Sequence, residues 1–294
     1  MIPLSSPLHP DNPAYPAWRD AKLAAYPARL EDLLVEVADP RALTMSEHGA
    51  LLARIRKANM ALYASRLTEV ADKSIPRLLG LQFGLERLDS NLLADEDAIT
   101  TLTVAEEPGR KGDYIPYTNR PLRWHTDGYY NRAENGICAF LLHCVDTASE
   151  GGENGLLDHE IAYILLREED PAHIRALMGE TVMTIPPRMD ESGVARAAES
   201  GPVFATLPSG QLHMRYTART RSIEWQDTIE VRAAVTALEA VFNGTSPYIF
   251  RGRLEPGMGL VCNNVPHCRS GFNDGPSHKR MLYRARYFDR IAGS

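Results

Sequence analysis

The sequence predicts an α+β fold, with a double-stranded β-helix (jelly-roll) core, flanking helices and a helical N-terminal cover. Two observations lead to this prediction. Apolar residues recur at helical spacing in the first third of the chain, and extended, β-branched segments dominate from residue 98 onwards. Helices followed by many strands favour helices laid on a closed antiparallel core. We therefore expect one domain over residues 1–294, mainly helical in 1–97 and jelly-roll in 98–290.

Three helices are expected in the N-terminal part. The first covers residues 28–38, where four leucine and valine side chains share one face. Thr44 and Glu47 have the spacing of a capping box and begin the second helix. Pro76 falls in the first turn of the third helix, where its missing N–H does no harm. Four apolar residues share a face of the second helix: Leu51, Ile55, Ala58 and Leu62.

From residue 98 the pattern becomes extended. Residues 98–106 are β-branched and lead into a turn-forming segment, 106–113. Residues 137–145 are apolar on both faces, which is typical of a central strand. Two helices interrupt the strands, one capped by Asp158 and one over residues 229–242. Three further segments are expected to form strands: 203–217 as a hairpin around Pro-Ser-Gly, 251–264 and 279–289.

The composition excludes several classes of protein. The net charge of −6 argues against a nucleic-acid binder, which would carry excess lysine and arginine. No basic n-region and no long apolar run occurs, so we expect neither a signal peptide nor a membrane span. The four cysteines form no CxxC pair and do not resemble a disulfide framework. A reducing cytoplasm is the expected location.

Three residues have the chemistry of a metal site. His125 and Asp127 are two apart, so on extended backbone both side chains point to the same side. His267 offers a second imidazole from a distant segment. Two histidines and one carboxylate leave coordination positions open, which suits non-haem Fe(II) oxygen chemistry. An HxD pair alone is weak support, because a surface histidine near an aspartate is common.

The neighbouring motifs narrow the interpretation. The segment Trp124–Asp127 reads WHTD, and the turn Gly151–Asn154 reads GGEN after a strand. His267 follows much later, and Arg280 lies on the next strand. Together these motifs resemble the taurine dioxygenase/TfdA-like family of Fe(II)- and 2-oxoglutarate-dependent oxygenases. The resemblance covers roughly residues 98–290.

The resemblance implies a role for each residue. His125, Asp127 and His267 would be the catalytic metal ligands for Fe(II). Arg280 would bind the distal carboxylate of 2-oxoglutarate, because a guanidinium pairs two donors with a carboxylate. Asn154 stands where the family usually has a threonine on that carboxylate, and its amide can donate the same hydrogen bond. The implied reaction consumes 2-oxoglutarate and O2 and yields succinate, CO2 and an oxidised substrate. The carboxylate of Asp127 favours hydroxylation over halogenation.

The last predicted strand has two chemically different faces. One face carries Arg280, Leu282, Arg284 and Arg286, and the other carries Met281, Tyr283, Ala285 and Tyr287. If Arg280 points inward to the cosubstrate, Arg284 points the same way. One cosubstrate carboxylate does not need two cations. We therefore expect Arg284 to bind an acidic group of the primary substrate; the alternative is a structural ion pair with an aspartate or glutamate.

Further substrate contacts are expected near the metal motif. Tyr129 and Tyr130 follow it directly, and they either face a cationic substrate or simply pack. Arg215, Arg219 and Arg221 lie in a region that borders the substrate opening in this family. Each either selects an anion or belongs to a solvated loop. Of the three, Arg219 is the candidate for substrate binding.

The predicted function is a dioxygenase that hydroxylates a small, anionic metabolite. Two alternatives remain open at this point: a metal-dependent hydrolase that uses the same His-Asp-His site, and a non-catalytic jelly-roll binding protein. The expected partners are a small-molecule substrate and further copies of the chain, with no nucleic acid and no membrane. His143, in the central strand, is interpreted either as structural or as a support for the metal ligands.

Overall fold

The computed structural model describes residues 2–68, 71–90, 95, 97–105, 114–190, 193–219 and 223–294. Its helices are α1 Tyr15–Leu23, α2 Met45–Ala58, α3 Ser74–Gln82, α4 His159–Glu169, α5 Pro171–Leu177 and α6 Ile229–Asn243. The strands in the first half of the chain are β1 Leu34–Val37, β2 Met60–Ser65, β3 Thr100–Leu102, β4 Leu122–His125, β5 Ala139–Asp146, β6 Glu150–Gly151 and β7 Asn154–Leu156.

The later strands are mostly short. They are β8 Met183–Ile185, β9 Arg188–Asp190, β10 Gly193–Arg196, β11 Glu199–Gly201, β12 Phe204–Thr206, β13 Leu212–Met214, β14 Glu224–Trp225, β15 Phe250–Gly252, β16 Met258–Cys262, β17 His267–Arg269, β18 Phe272–Asn273 and β19 Met281–Tyr287. Helices and sheets are both present, in agreement with the α+β class.

The chain divides into two compact units, each made of separate segments. The first unit contains Met1–Tyr26, Arg123–Gly136 and Leu157–Ile249. The second contains Pro27–Leu122, Ile137–Leu156 and Phe250–Ser294. The single-domain assignment of the sequence stays a prediction.

Helices and small sheets make up the first unit. α4, α5 and α6 pack against one another, and the unit also contains a three-stranded sheet of order β11-β8-β14. Aromatic rings form part of its core: the Phe242 ring stacks on Trp124, with 5.0 Å between ring centroids, and on Tyr216, with 4.9 Å. These contacts bury the base of the segment that carries the metal motif, because Trp124 immediately precedes His125.

The second unit is organised around a six-stranded sheet of order β1-β2-β16-β5-β19-β3. Only the β1–β2 pair is parallel; the other pairs are antiparallel. Six successive residues of β5 are buried, from Ala139 to Cys144, which confirms a central strand there. A smaller sheet in the same unit places β7 between β15 and β17.

The two faces of β19 differ as the alternation predicted. Tyr283, Ala285 and Tyr287 join the apolar cluster formed with α2, α3 and the same face of the large sheet. Arg280 precedes the strand, and Arg284 and Arg286 lie on it; all three are buried. Since the apolar residues occupy one face, the arginines belong to the other.

The helix predicted over residues 28–38 is wrong. Leu30–Leu33 form a single 3-10 turn, and Leu34–Val37 is strand β1. Val35 and Val37 alternate into the core while β1 pairs with β2, so sheet pairing overrides the local helical spacing. Leu62 is also not on the second helix, because α2 ends at Ala58 and β2 contains Leu62.

Several local predictions are confirmed. Thr44 and Glu47 form the capping box of α2, and the Asp158 side chain accepts the Glu160 N–H at the start of α4. β12 and β13 form the predicted antiparallel hairpin. α6 ends before Gly244. The turn predicted at 106–113 lies outside the described residues. In the described part of the chain, no helix combines the length and apolarity needed to span a membrane.

Candidate metal and cosubstrate site

β4 and the residues after it carry the first two predicted ligands. His125 ends the strand, and its Nε2 atom lies 3.8 Å from Asp127 Oδ1, so both side chains point to the same place. The intervening Thr126 donates its N–H to the Tyr216 carbonyl at 3.0 Å, and its hydroxyl accepts the Tyr216 N–H at 3.1 Å. These two hydrogen bonds hold the residue between the two ligands against the main chain of Tyr216.

His267 begins β17 in the second unit. It lies opposite Leu156 of β7, and its ring centroid is 4.5 Å from that of Phe140. The imidazole is buried, with 8% of the residue exposed. An apolar wall of this kind restricts the directions in which the ring can turn.

One ligand atom from each of His125, Asp127 and His267 lies within 4.8 Å of the other two. All three residues are buried. Among the residues that the structure describes, this is the group of histidine, cysteine and acidic side chains whose spacing suits a metal ion. Two imidazoles and one carboxylate form a donor set that fits Fe(II).

The main chain sets the tautomer of both imidazoles. His125 Nδ1 lies 2.9 Å from the Arg123 carbonyl oxygen, and His267 Nδ1 lies 3.0 Å from the Val265 carbonyl oxygen. A carbonyl only accepts hydrogen bonds, so Nδ1 carries the proton in each ring. Nε2 then presents its lone pair, as a metal ligand requires.

Arg280 is the residue predicted to bind the cosubstrate, and its surroundings suit the binding of an acidic ligand. The residue is 6% exposed, and burial lowers the pKa of its guanidinium to about 10. Its side chain makes no hydrogen bond or ion pair with any other described residue. Its main-chain N–H donates to Asp274 at 2.9 Å. The charge of Asp274 offsets only part of the cost of burying this cation, and a bound carboxylate that pairs with the guanidinium would offset more of it.

Asn154, the predicted second donor to the cosubstrate carboxylate, also lies in the second unit. It begins β7 opposite Arg269 and lines a small, largely apolar recess with Leu30, Leu62 and Leu156. Arg280 is not among the residues that line this recess. The predicted hydrogen bond from Asn154 to the cosubstrate carboxylate therefore stays a prediction.

Two buried groups near Arg280 were missed by the sequence reasoning. Arg269 and Phe272 follow His267 closely, and the guanidinium carbons of Arg269 and Arg280 lie 4.8 and 5.2 Å from the centroid of the Phe272 ring. Burial, with repulsion from Arg280, lowers the pKa of the Arg269 guanidinium to about 9. The period of two along β17 was the available signal, because it places Arg269 on the same side as His267.

Arg284 and Arg286 occupy the same face of β19 but have different surroundings. Arg286 forms a buried ion pair with Asp89. Arg284 lies between Leu142 of β5 and Thr100 of β3 and is 9% exposed. A structural carboxylate thus serves Arg286, and the role of Arg284 in substrate binding stays a prediction.

The residues expected at the substrate opening divide into two groups. Arg215 does not select an anion, because its guanidinium nitrogens donate to the carbonyls of Tyr129, Met183 and Glu199 at 2.7–3.1 Å. The Tyr129 and Tyr130 rings meet edge to face at 5.2 Å, both half-buried. Arg219 is half-buried two residues after Thr217, which pairs with His125. Arg221 lies outside the described residues.

Comparison with known proteins identifies the family. The chain belongs to the family described as taurine catabolism dioxygenase TauD, TfdA family, which matches residues 77–286. A uridine-5'-phosphate dioxygenase from Streptomyces sp is 31% identical over 222 residues, which cover 69% of this chain and 74% of that protein.

Two solved structures share the fold. Asparagine oxygenase with Fe(II), 2S,3S-3-hydroxyasparagine and succinate covers 84% of this chain and 81% of its own, at 15% identity and a TM-score of 0.58. A taurine dioxygenase from Burkholderia xenovorans covers 87% of both chains, at 16% identity and a TM-score of 0.57. The chain is an Fe(II)- and 2-oxoglutarate-dependent dioxygenase, and O2 is its other cosubstrate.

Proposed function

We propose that this dioxygenase hydroxylates a small phosphorylated metabolite. We also propose that the core that holds its site is a jelly roll. The observation that carries the proposal is the convergence of His125, Asp127 and His267, each with a ligand atom within 4.8 Å of the others. The curated relative named for uridine 5'-phosphate supports a substrate of this charge class. Family membership sets aside the hydrolase and non-catalytic alternatives.

In this proposal His125, Asp127 and His267 hold Fe(II), and Arg280 binds the distal carboxylate of 2-oxoglutarate, with Asn154 as a second donor. The bound iron and cosubstrate supply O2 activation, coupled to the conversion of 2-oxoglutarate to succinate and CO2. The protein orients these groups and excludes water. Buried ligands with fixed tautomers and the apolar ring of Phe140 beside His267 support that role.

The proposed substrate contacts come from two arginines and two tyrosines that have no assigned role towards the metal or the cosubstrate. Arg284 is buried on the same face of β19 as Arg286, four residues after Arg280. In this proposal its guanidinium pairs with the anionic group of the substrate. Arg219, two residues from the partner of His125, is a second candidate for that anion. Tyr129 and Tyr130 offer a half-buried aromatic surface to the rest of the substrate.

Location and assembly are also proposals. All four cysteines are free thiols, Cys138, Cys144, Cys262 and Cys268, which supports a reducing cytoplasm. Association of the chain with further copies is retained as a prediction. Gel filtration with light scattering would decide the oligomeric state.

The test is substrate-dependent succinate formation with Fe(II) and 2-oxoglutarate under air. Uridine 5'-phosphate, a pentose 5-phosphate, uridine and taurine form a panel that separates the phosphate from the base. We expect a phosphorylated compound to raise succinate formation and to be consumed in equal amount. A panel in which taurine or unphosphorylated uridine is the best substrate would contradict the proposal.

The Arg284→Gln variant tests the contact with the anion. We expect a higher KM for the phosphorylated substrate and an unchanged KM for 2-oxoglutarate, because only the substrate loses a charged partner. Arg19→Gln is the control, since its guanidinium pairs with Asp20 and Glu168 in the first unit and none of these residues has a proposed role in binding. A rise in KM for 2-oxoglutarate alone would show that Arg284 serves the cosubstrate.

A further inference from the structure

Arg269 is a buried arginine of the second unit whose hydrogen bonds go to main-chain carbonyls. Its Nη2 atom donates to two main-chain carbonyls, Thr118 at 2.8 Å and Arg120 at 2.6 Å. The residue is 6% exposed. Carbonyl dipoles satisfy part of its hydrogen bonding but supply no negative charge. The charge of Arg269 therefore stays in the same buried region as that of Arg280.

Phe272 connects the two guanidinium groups. Its ring lies 4.8 Å from the Arg269 carbon and 5.2 Å from the Arg280 carbon, both within cation–π range. Gly152 completes the packing: a Cβ built there would lie 3.5 Å from Arg280 Cδ and 3.6 Å from Phe272 Cβ. The Arg280 side chain is thus positioned by contacts with Phe272 and Gly152, and Phe272 is in turn held by Arg269.

The same short segment fixes the chain that leads to the metal motif. The Arg269 side chain donates hydrogen bonds to the carbonyls of Thr118 and Arg120, and the Phe272 N–H donates to the carbonyl of Asn119 at 3.1 Å. Three successive carbonyls are therefore bound by residues 269–272. Arg120 lies five residues before His125 in the sequence.

We propose that Arg269 is a positioning residue for 2-oxoglutarate, which it serves by holding Phe272 and Arg280 in the pose that accepts the distal carboxylate. The inference rests on the proposed role of Arg280. An arginine side chain has many rotamers, and packing that restricts them lowers the entropy lost when a ligand binds. The additional buried positive charge acts in the same direction, because it attracts the incoming dicarboxylate.

The experiment measures binding rather than turnover. Wild-type protein and Arg269→Gln are loaded with Mn(II) without O2, and the Kd of Mn(II) and of 2-oxoglutarate are measured separately by calorimetry. We expect the Kd of 2-oxoglutarate to rise about tenfold, as when one charge-assisted contact is weakened, and the Kd of Mn(II) to stay unchanged. Phe272→Leu carries the same test if Arg269→Gln fails to fold.

Arg167 provides a matched control in the first unit. It is also 6% exposed, donates to the carbonyls of Pro7 and Pro10, and lies 3.6 Å from the centroid of the Tyr15 ring. Arg167→Gln removes the same chemistry from a place that holds no cosubstrate group. We expect a comparable loss in Tm and an unchanged Kd for 2-oxoglutarate.

The outcomes separate this inference from the function on which it rests. An unchanged Kd for 2-oxoglutarate in Arg269→Gln, or equal weakening of Mn(II) and 2-oxoglutarate, would overturn the positioning role. Wild-type protein that binds no 2-oxoglutarate, or an Arg280→Gln variant that binds it normally, would instead overturn the proposed site. A selective loss in both Arg269→Gln and Arg280→Gln supports the two assignments together.

Discussion

At the scale of single residues, the buried histidines His125, His143 and His267 differ in what their rings contact. His125 and His267 hold their protons on Nδ1 through carbonyl oxygens, and one ring nitrogen of each lies within 4.8 Å of the other ligand atoms. His143 lies on the other side of β5 from Phe140 and contacts Tyr63, with 2.9 Å between Nδ1 and the phenol oxygen. Its neighbours in sequence are apolar, so its imidazole is enclosed away from water.

His143 should make stability depend on pH. Burial lowers the pKa of its imidazole from 6.5 to about 4, although the charge of Asp72 acts in the opposite direction. The unfolded chain therefore takes up a proton as the pH falls through 6.5, while the folded chain does not until about 4. Stability present above pH 6.5 is lost on acidification, by about 2 kcal/mol between pH 7 and pH 5.

Urea unfolding at pH 7 and pH 5 measures this effect. The His143→Leu variant should lose less stability than the wild type over that interval, whatever its stability at pH 7. The comparison uses the difference between the two pH values, so other titrating groups cancel. Parallel pH profiles for the two proteins would show that His143 takes up its proton without unfolding.

At the scale of elements, the turn before β7 sets the geometry around Arg280. Gly151 and Gly152 have φ angles of +72° and +76°, which side chains rarely adopt. A Cβ on Gly151 would lie 2.3 Å from the Gly271 carbonyl oxygen, which also accepts the Gly152 N–H at 3.1 Å. The turn and the strand pair β6–β18 therefore require glycine at position 151.

Gly151→Ala should lose more stability than the matched variant Gly210→Ala. Gly210 has a φ of +93°, but a Cβ there would meet nothing within 4 Å. The control therefore carries only the backbone strain, about 1–2 kcal/mol. Gly151→Ala adds displacement of the Gly271 carbonyl, so we expect a total of about 3 kcal/mol or more. Equal losses in chemical unfolding would mean that the carbonyl moves freely.

Elements whose hydrogen bonds join residues close in sequence could be predicted, whereas those that depend on pairing between distant residues could not. The capping box at Thr44 and the alternation along β19 are local patterns, and both predictions are confirmed. The helix prediction for residues 28–38 is wrong because the same leucine spacing fits either a helix or a turn followed by a strand. The pairing of β1 with β2 decides between them, and that pairing joins residues far apart in sequence.

The site shows the same limit. His125, Asp127 and His267 were found because their types and neighbouring motifs are distinctive. Arg269 was missed because nothing in HCRSGF indicates that its guanidinium binds carbonyls of residues 118 and 120. For Arg215 the sequence left anion binding and a solvated loop open, but its guanidinium binds three carbonyls from separate segments. Contacts of this kind depend on the tertiary fold.

At the scale of the whole molecule, a chain with a net charge of −6 buries a group of arginines in one unit. Arg286 has Asp89 as its counter-charge, whereas the guanidinium of Arg280 forms no ion pair with any other described residue. Local charge thus opposes the global charge, which suits an acidic cosubstrate.

The most direct test of the central claim is an anaerobic titration of the full chain with Fe(II) and then 2-oxoglutarate, followed by visible absorption. We expect one iron per chain and a new charge-transfer band when 2-oxoglutarate is added. His267→Ala should abolish the band, while Cys268→Ser, at the adjacent residue opposite Gly155, should keep it. A band of full strength in His267→Ala would contradict the assignment of His125, Asp127 and His267 as the iron ligands.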